Sequence, residues 1–378
     1  VTLLELPSNR QEGWRWSDLS ALPALAEARP GGAAPNDLPW IDCALEGPRL
    51  LFVDGKLDES RSRLGPVRLG AVEAEGGGHA LARLVGSEGW TLDLGSGHAP
   101  AGLVQIVHVS TGAADHLPSA ILLAEDAQAS LVETFVGTGW INRLSRIDLA
   151  KGARLMVARR ILSDSGFVSL TDRAAIGEGA SLTMTTLAGG GCDTRLDGEI
   201  LLHGEAAFAE AGGALLARKR QRHDTNLVVR HEAIGGMSRQ VWRSVADDKA
   251  VCAVAARVEV ARDAQKTDGE QSLKGLLLSR GASVNAKPEL EIFADDVKCA
   301  HGATVGELDR NALFYLASRG VAPGEAKALL TRAFVADAID RIGEAEVRDA
   351  FHRDAMDWLG DPSPIWGEGG TRREAVGG

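Results

Sequence analysis

Between about Ala99 and Gly306 the chain repeats one plan, and that plan leaves it few folds to choose from. The segments EDAQASLVETFVG, LAKGARLMVARRI and IGEGASLTMTTLAG each set a turn of small residues before an apolar residue and an alternating strand. Aligned on Leu131, Leu155 and Leu182, the copies lie 24 (155 − 131) and 27 (182 − 155) residues apart. A later copy, LSRGASVNAKPELEIFADD, places Val284 in the same slot. Periods in this range mean stacked coils of strand. One coil cannot bury its inner face alone, so its neighbours must cover it. The expectation is a mainly β chain with a β-helix core. Periodicity alone leaves a β-sandwich open, because it too strings short strands between regular turns. The 45 glycines and the 4% aromatic content suit stacked strands with bends better than a helical bundle.

The two ends read differently from the middle. Residues 1–98 mix a short helical pattern with turns. Ser17 is a candidate cap for a segment through Leu19, Leu22 and Leu25, limited by Pro23. The run Ala28–Pro39 is a loop by its Pro and Gly content. Leu50–Leu57 reads as two strand pieces joined by Asp54-Gly55. After Gly306 the period becomes helical. Asp309 is a plausible N-cap and Gly320 a plausible stop. Pro323 sits where helices like to begin, though Ala322 before it offers no polar cap. Ala326, Leu330, Phe334, Ala338 and Ile342 form an i, i+4 row, widened by Leu329 and Ala333. Val347, Phe351, Ala355 and Trp358 form a third stripe. The division expected is therefore 1–98 mixed, 99–306 β-helix, 307–359 helical, and 360–378 a disordered tail rich in Gly, Pro and charge.

Composition removes several classes of function. The net charge is −11, which argues against nucleic acid. No run approaches 18 apolar residues, so no membrane helix is expected. The first residues lack the basic-then-apolar order of a signal peptide. Cys43, Cys192, Cys252 and Cys299 are far apart and form no CxxC pair, so neither disulfides nor zinc are indicated. A cytoplasmic, reduced protein is the simplest reading. GGG occurs at Gly76–Gly78 and Gly189–Gly191 without the Lys-Ser/Thr sequel of a phosphate loop, so ATP hydrolysis is not expected.

Chemistry has few places to reside. Cys299 and His301 are two apart on a predicted strand and leave the same face. A thiolate and an imidazole are reasonable ligands for iron or for an iron–sulfur cluster, but a cluster usually takes four. Both residues are also ordinary occupants of a core. Asp295 and Asp296 stand next to each other near Lys298. On a strand they would face opposite ways, a poor acid/base pair. They support an alternative reading as a β-helix carbohydrate-active enzyme, although a single tyrosine offers little for sugar platforms. The basic run Arg218–Thr225, with Arg230 and His231, reads as a charged edge or turn that could seat an acidic partner.

The segment Lys287–Gly320, KPELEIFADDVKCAHGATVGELDRNALFYLASRG, resembles the hallmark of the SufB/SufD family of iron–sulfur cluster assembly proteins, on its SufD side. The likeness extends through Ala264–Ser279 (AQKTDGEQSLKGLLLS) and Gly324–Phe334 (GEAKALLTRAF). The resemblance implies a right-handed parallel β-helix with a C-terminal helical subdomain. It implies a non-catalytic scaffold that pairs with a SufB-like subunit. A cluster would be held transiently at that shared interface, with His301 the better candidate ligand and Cys299 second. No cofactor is expected to stay on the isolated chain, which could pair with a copy of itself. Cys252 matches no motif and reads as core. A SufC-like ABC-type ATPase is expected on the helical segment, near Ala326, Leu330, Phe334, Arg319 and Gly320. The basic run would lie near the subunit interface. A scaffold of the SufB kind, working with its own copies, is a second implied possibility, but the additional cysteine-rich features of SufB members are not found.

Overall fold

The structure, a computed structural model, describes residues 5–74 and 76–360. The tail expected beyond Gly360 lies outside the described residues. Among the described residues the strands form two sheets, of ten and nine strands. The first stacks Arg49–Val53, Val104–Ser110, Gln128–Gly137, Arg154–Ile161, Ser181–Ala188, Phe208–Ala217, Met237–Ala246, Asp268–Leu277 and Lys298–Glu307 in parallel. The second stacks Glu88–Leu94, Ala114–Leu123, Trp140–Leu149, Phe167–Ile176, Asp193–Leu202, Arg222–His231, Val251–Val260 and Ser283–Ile292 in parallel. From Glu88 on, successive strands alternate between the sheets. The product is a parallel β-solenoid of about eight turns, followed in the chain by C-terminal helices.

The repeat read from the sequence is real, but its register differs. Leu155 pairs with Leu182 as aligned, whereas Leu131 pairs with Val157, and Ala129 is the partner of Leu155. A shift of two residues keeps every side chain on its face, so alternation cannot detect it. Val284 lies in the other sheet, opposite Cys252. The periodic element itself is a corner. Asp126, Gly152, Gly179, Ala206, Gly235 and Lys266 all adopt left-handed backbone, with φ between 54° and 71°. Each donates its N–H to a carbonyl of the next coil, as in Gly152 to Glu178 and Gly179 to Glu205, both 2.8 Å. Half of these positions are glycine, which takes that conformation without the steric cost a side chain adds.

The lumen is filled by aliphatic side chains and, in its first half, by a buried chain of charge. His108 is stacked between Phe52 and Phe135, with ring centroids 5.5 and 5.0 Å away. Its Nε2 lies 3.3 Å from Glu133. Arg159 donates to Glu133 at 2.9 Å and to Asp172 at 2.5 Å. Arg143 donates to His108 and pairs with Asp115. Burial works against the charge on Glu133, but Arg159 and His108 outweigh it and hold the carboxyl down at about 2.

The ends of the solenoid are built differently. At the N-terminal end, Lys56–Leu57 folds back antiparallel on Arg49–Val53 through a tight turn at Asp54 and Gly55, both at positive φ. Val67–Ala71 does the same on Glu88–Leu94. The sheets thus reach back well before residue 99, and much of the N-terminal region belongs to the coil. Residues 12–17 form a strap on the outer face of the second sheet. Trp14 sits over the Arg195 guanidinium at 4.3 Å. Ser17 Oγ donates to Asp224 at 2.5 Å, and Lys287 Nζ donates to Glu12 at 2.6 Å. Ser17 is therefore committed to a distant strand and caps nothing. The helix that follows, α1 (Leu22–Glu27), starts on Ala21 with Pro23 in its first turn.

At the C-terminal end come α2 (Arg310–Ser318), α3 (Pro323–Ile339) and α4 (Ala345–Leu359). Asp309 caps α2 by accepting from the Asn311 N–H at 2.8 Å, and Gly320 follows it at φ 84°. α3 opens on Pro323 without a side-chain cap. Helices α3 and α4 do not stand apart from the coil. Val335, Ile339, Val347, Phe351 and Trp358 pack on Val132, Ala158, Leu187, Ala214 and Val245 of the first sheet. Arg160 clamps Asp354 at 2.6 Å, and Arg243 pairs with Asp337.

Candidate functional site

Cys299 and His301 lie on the last strand, Lys298–Glu307, opposite Gly269 and Gln271 of the strand before it. They share the inner face, as their spacing requires. Here that face is not enclosed. The last strand is the edge of its sheet, and Ser283–Ile292 is the edge of the other. Both are ten residues long and run parallel to their neighbours. His301 and the residues after it on that strand are exposed. Val305, Ile292 and Phe293 expose 44%, 39% and 59% of their surface, so the final coil presents apolar side chains along with its open backbone edges.

Within this rung the two candidates differ. The Cys299 side chain is half-buried against Val258, Val260, Ala264 and Ala294, and burial raises its thiol pKa, disfavouring the thiolate. His301 stands free of any protein hydrogen bond among the described residues. Among those residues no group of three or more His, Cys, Asp or Glu side chains is placed to hold a metal ion. The chain by itself offers two donors on an open face.

The remaining candidates fall elsewhere. Asp295 and Asp296 occupy the exposed turn before the last strand, with the Asp296 carbonyl accepting from the Lys266 N–H. They lie in a bend between strands and not on a strand. The basic run lies on the third strand in from the free edge of the second sheet, away from the open rung. Its histidines point into the lumen. His223 contacts Thr194 at 2.9 Å and Leu216 at 3.1 Å, and His231 contacts Ser238 at 2.8 Å. Burial pushes both down to about 4, so both are neutral core residues. Cys252 is fully buried, as read.

The helical stripe also sorts itself. Ala326, Ala338 and Ile342 are buried, while Leu330 and Phe334 are half-buried, so most of that row faces inward. The row Val347, Phe351, Ala355 and Trp358 is wholly buried. What remains outside is Phe314 at 77%, Tyr315 at 57% and Leu329 at 42%, beside exposed Arg319 and Gly320. Periodicity could not find Phe314 and Tyr315, because α2 is short and buries no residue.

Residues 107–334 match the SUF system FeS cluster assembly SufBD core domain. The chain belongs to the SufBD family. It is 28% identical to the iron-sulfur cluster assembly protein SufD of Escherichia coli over 89% of this chain and 85% of that protein. An iron-sulfur cluster assembly SufBD family protein of Synechocystis is 35% identical over 38% of this chain and 32% of its own. Protein ABCI7, chloroplastic, of Arabidopsis thaliana is 28% identical over 61% of this chain and 50% of its own. This is a SufBD family protein of iron–sulfur cluster assembly in the SUF system. Among the described residues no helix is long and apolar enough to cross a membrane.

Proposed function

We propose that this chain is a non-catalytic scaffold subunit that receives a SufB-like partner on its open rung and shares an iron–sulfur assembly site with it there. One observation carries the reading: among the described residues the last coil ends on two full-length parallel edges, with His301 and Cys299 on the inner face. An unpaired edge is a template for another strand. Two donors are too few for a cluster, so a second chain or small molecules must complete the ligand set. His301 is the favoured ligand, because it is exposed and a neutral imidazole is a ready donor for iron. Cys299 is secondary, because its thiol is half-buried and hard to ionise.

The test is iron and acid-labile sulfide in the complex co-expressed with the SufB-like subunit and the ATPase. His301→Ala should leave the complex assembled but poor in both; Cys299→Ala should lose less. Equal loading of wild type and His301→Ala removes His301 from the site.

A SufC-like ATPase would dock on the exposed ends of the helical segment, through Phe314, Tyr315 and Leu329, with Arg319 and Gly320 beside them. Leu330 and Phe334 would back this surface, and buried Ala326 would pack beneath it. Phe314→Asp should abolish capture of the ATPase and leave the far-UV spectrum unchanged. Unchanged capture rejects this face.

A further inference from the structure

We propose that Gln271 is a positioning residue for His301, accepting the imidazole N–H that faces away from the metal and so fixing which ring nitrogen meets the iron. This rests on the reading of His301 as a ligand. The strands Asp268–Leu277 and Lys298–Glu307 place Gln271 in register with His301. Register partners on parallel strands share a face and lie about 4.8 Å apart. Gln271 is 1% exposed. Its Nε2 donates to the Ala256 carbonyl on the opposite sheet at 2.8 Å. That bond settles the orientation of the amide and leaves Oε1 as the free end. The Oε1 atom is buried and has no partner among the described residues. A buried carbonyl oxygen without a donor calls for an explanation, and a ring N–H one strand away supplies it.

The chemistry fits the need. A neutral imidazole that ligates a metal through one nitrogen carries hydrogen on the other, and that N–H is ordinarily held by a carbonyl or carboxylate. One rung deeper, Gln240 is in register with Gln271. It repeats the arrangement, with Nε2 donating to the Arg257 carbonyl at 3.1 Å and a buried Oε1 left open. The three residues stand in register along the lumen, Gln240, Gln271, His301, with His301 at the open end.

The experiment is an anaerobic ferrous iron titration of the co-expressed complex, with assembly checked by size exclusion. Gln271→Met keeps the shape and removes the acceptor, and should weaken iron binding about 10- to 100-fold. Gln271→Glu restores an oxygen for the ring while losing the bond to Ala256, and should bind close to wild type. A merely structural amide predicts the reverse order, because the glutamate buries a charge. Combined with His301→Ala, Gln271→Met should add no further loss, since it acts only through the ring. Should Gln271→Met fail to assemble, Gln271→Asn withdraws the oxygen by one methylene and must show the same loss. Wild-type binding by an assembled Met or Asn variant overturns the proposal, as does a Glu variant weaker than Met. If His301→Ala alone titrates like wild type, the metal site itself is wrong and the role of Gln271 falls with it.

Discussion

The two ends of the solenoid solve the same problem in opposite ways. At the N-terminal end each sheet finishes in a short antiparallel piece, and Trp90 is fully buried beneath. At the C-terminal end each sheet stops on a ten-residue parallel strand, and among the described residues no further strand pairs with it. Soluble proteins blunt their edges because an open one pairs with whatever strand arrives. The blunted end needs no partner, and the bare end is where the proposed partner would pair.

Substitutions should separate the ends by size of effect. In the closed half, Trp90→Ala removes a fully buried indole and should cost about 3–5 kcal/mol in urea unfolding. Arg159→Leu strands the charges of Glu133 and Asp172 in the lumen and should cost a similar 3–5 kcal/mol. If either loses less than a surface substitution does, the closed half is not the stable half.

Acid should act next most strongly. His223 and His231 are held neutral with pKa values near 4. The unfolded chain takes up protons on both near pH 6.5, so their contribution is complete above that pH and declines as pH falls toward 4. Each contributes at most about 3 kcal/mol. Asp193, pushed up to about 6 by burial, acts with the opposite sign between about pH 4 and 6 and offsets one of them. The net expectation is a loss of about 3 kcal/mol between pH 7 and pH 4.5, read from urea midpoints. A midpoint that rises over that range would contradict the burial of these imidazoles.

Ser17→Ala removes the strap's bond to Asp224 and should cost about 1–2 kcal/mol. At the open end, Val305→Asp should change the isolated chain by less than about 0.5 kcal/mol. The same substitution should abolish capture of the SufB-like subunit, because it buries a charge in the joint. A Val305→Asp chain that still pairs would place the partner elsewhere.

What the sequence disclosed follows the range of each interaction. The coil was visible because its corner recurs locally, as the motifs GARL and GASL show. Its register was not, because alternation repeats every two residues and cannot tell Leu131 opposite Leu155 from Leu131 opposite Val157. The cap at Asp309 and the stop at Gly320 were legible because a helix end is decided within one turn. The shared face of Cys299 and His301 followed from spacing alone. Which members of the row Ala326–Ile342 stay accessible was not legible, because an apolar stripe says that something covers a helix and not which side is covered. Gln271 carried a faint signal, a polar residue at an inward position of an alternating strand, whose meaning depended on the neighbour across the ladder. The strap was out of reach, since Ser17 and Asp224 are 207 residues apart.

That separation sets a timetable for the newborn chain. Each coil needs only the one before it, 26 to 31 residues back as counted between successive corners. The solenoid can therefore be laid down in the order in which it is made. The strap is made before the coils it contacts and seated after them. Trp14 must wait for Arg195, Ser17 for Asp224, and Glu12 for Lys287, 275 residues downstream. Closing so long a loop costs more entropy than adding a rung. The strap's final contact, Glu12 on Lys287, forms only once the second sheet's edge strand exists. A chain released before residue 287 thus lacks both complete edge strands and the strap's last contact, although Trp14 and Ser17 can already sit on Arg195 and Asp224.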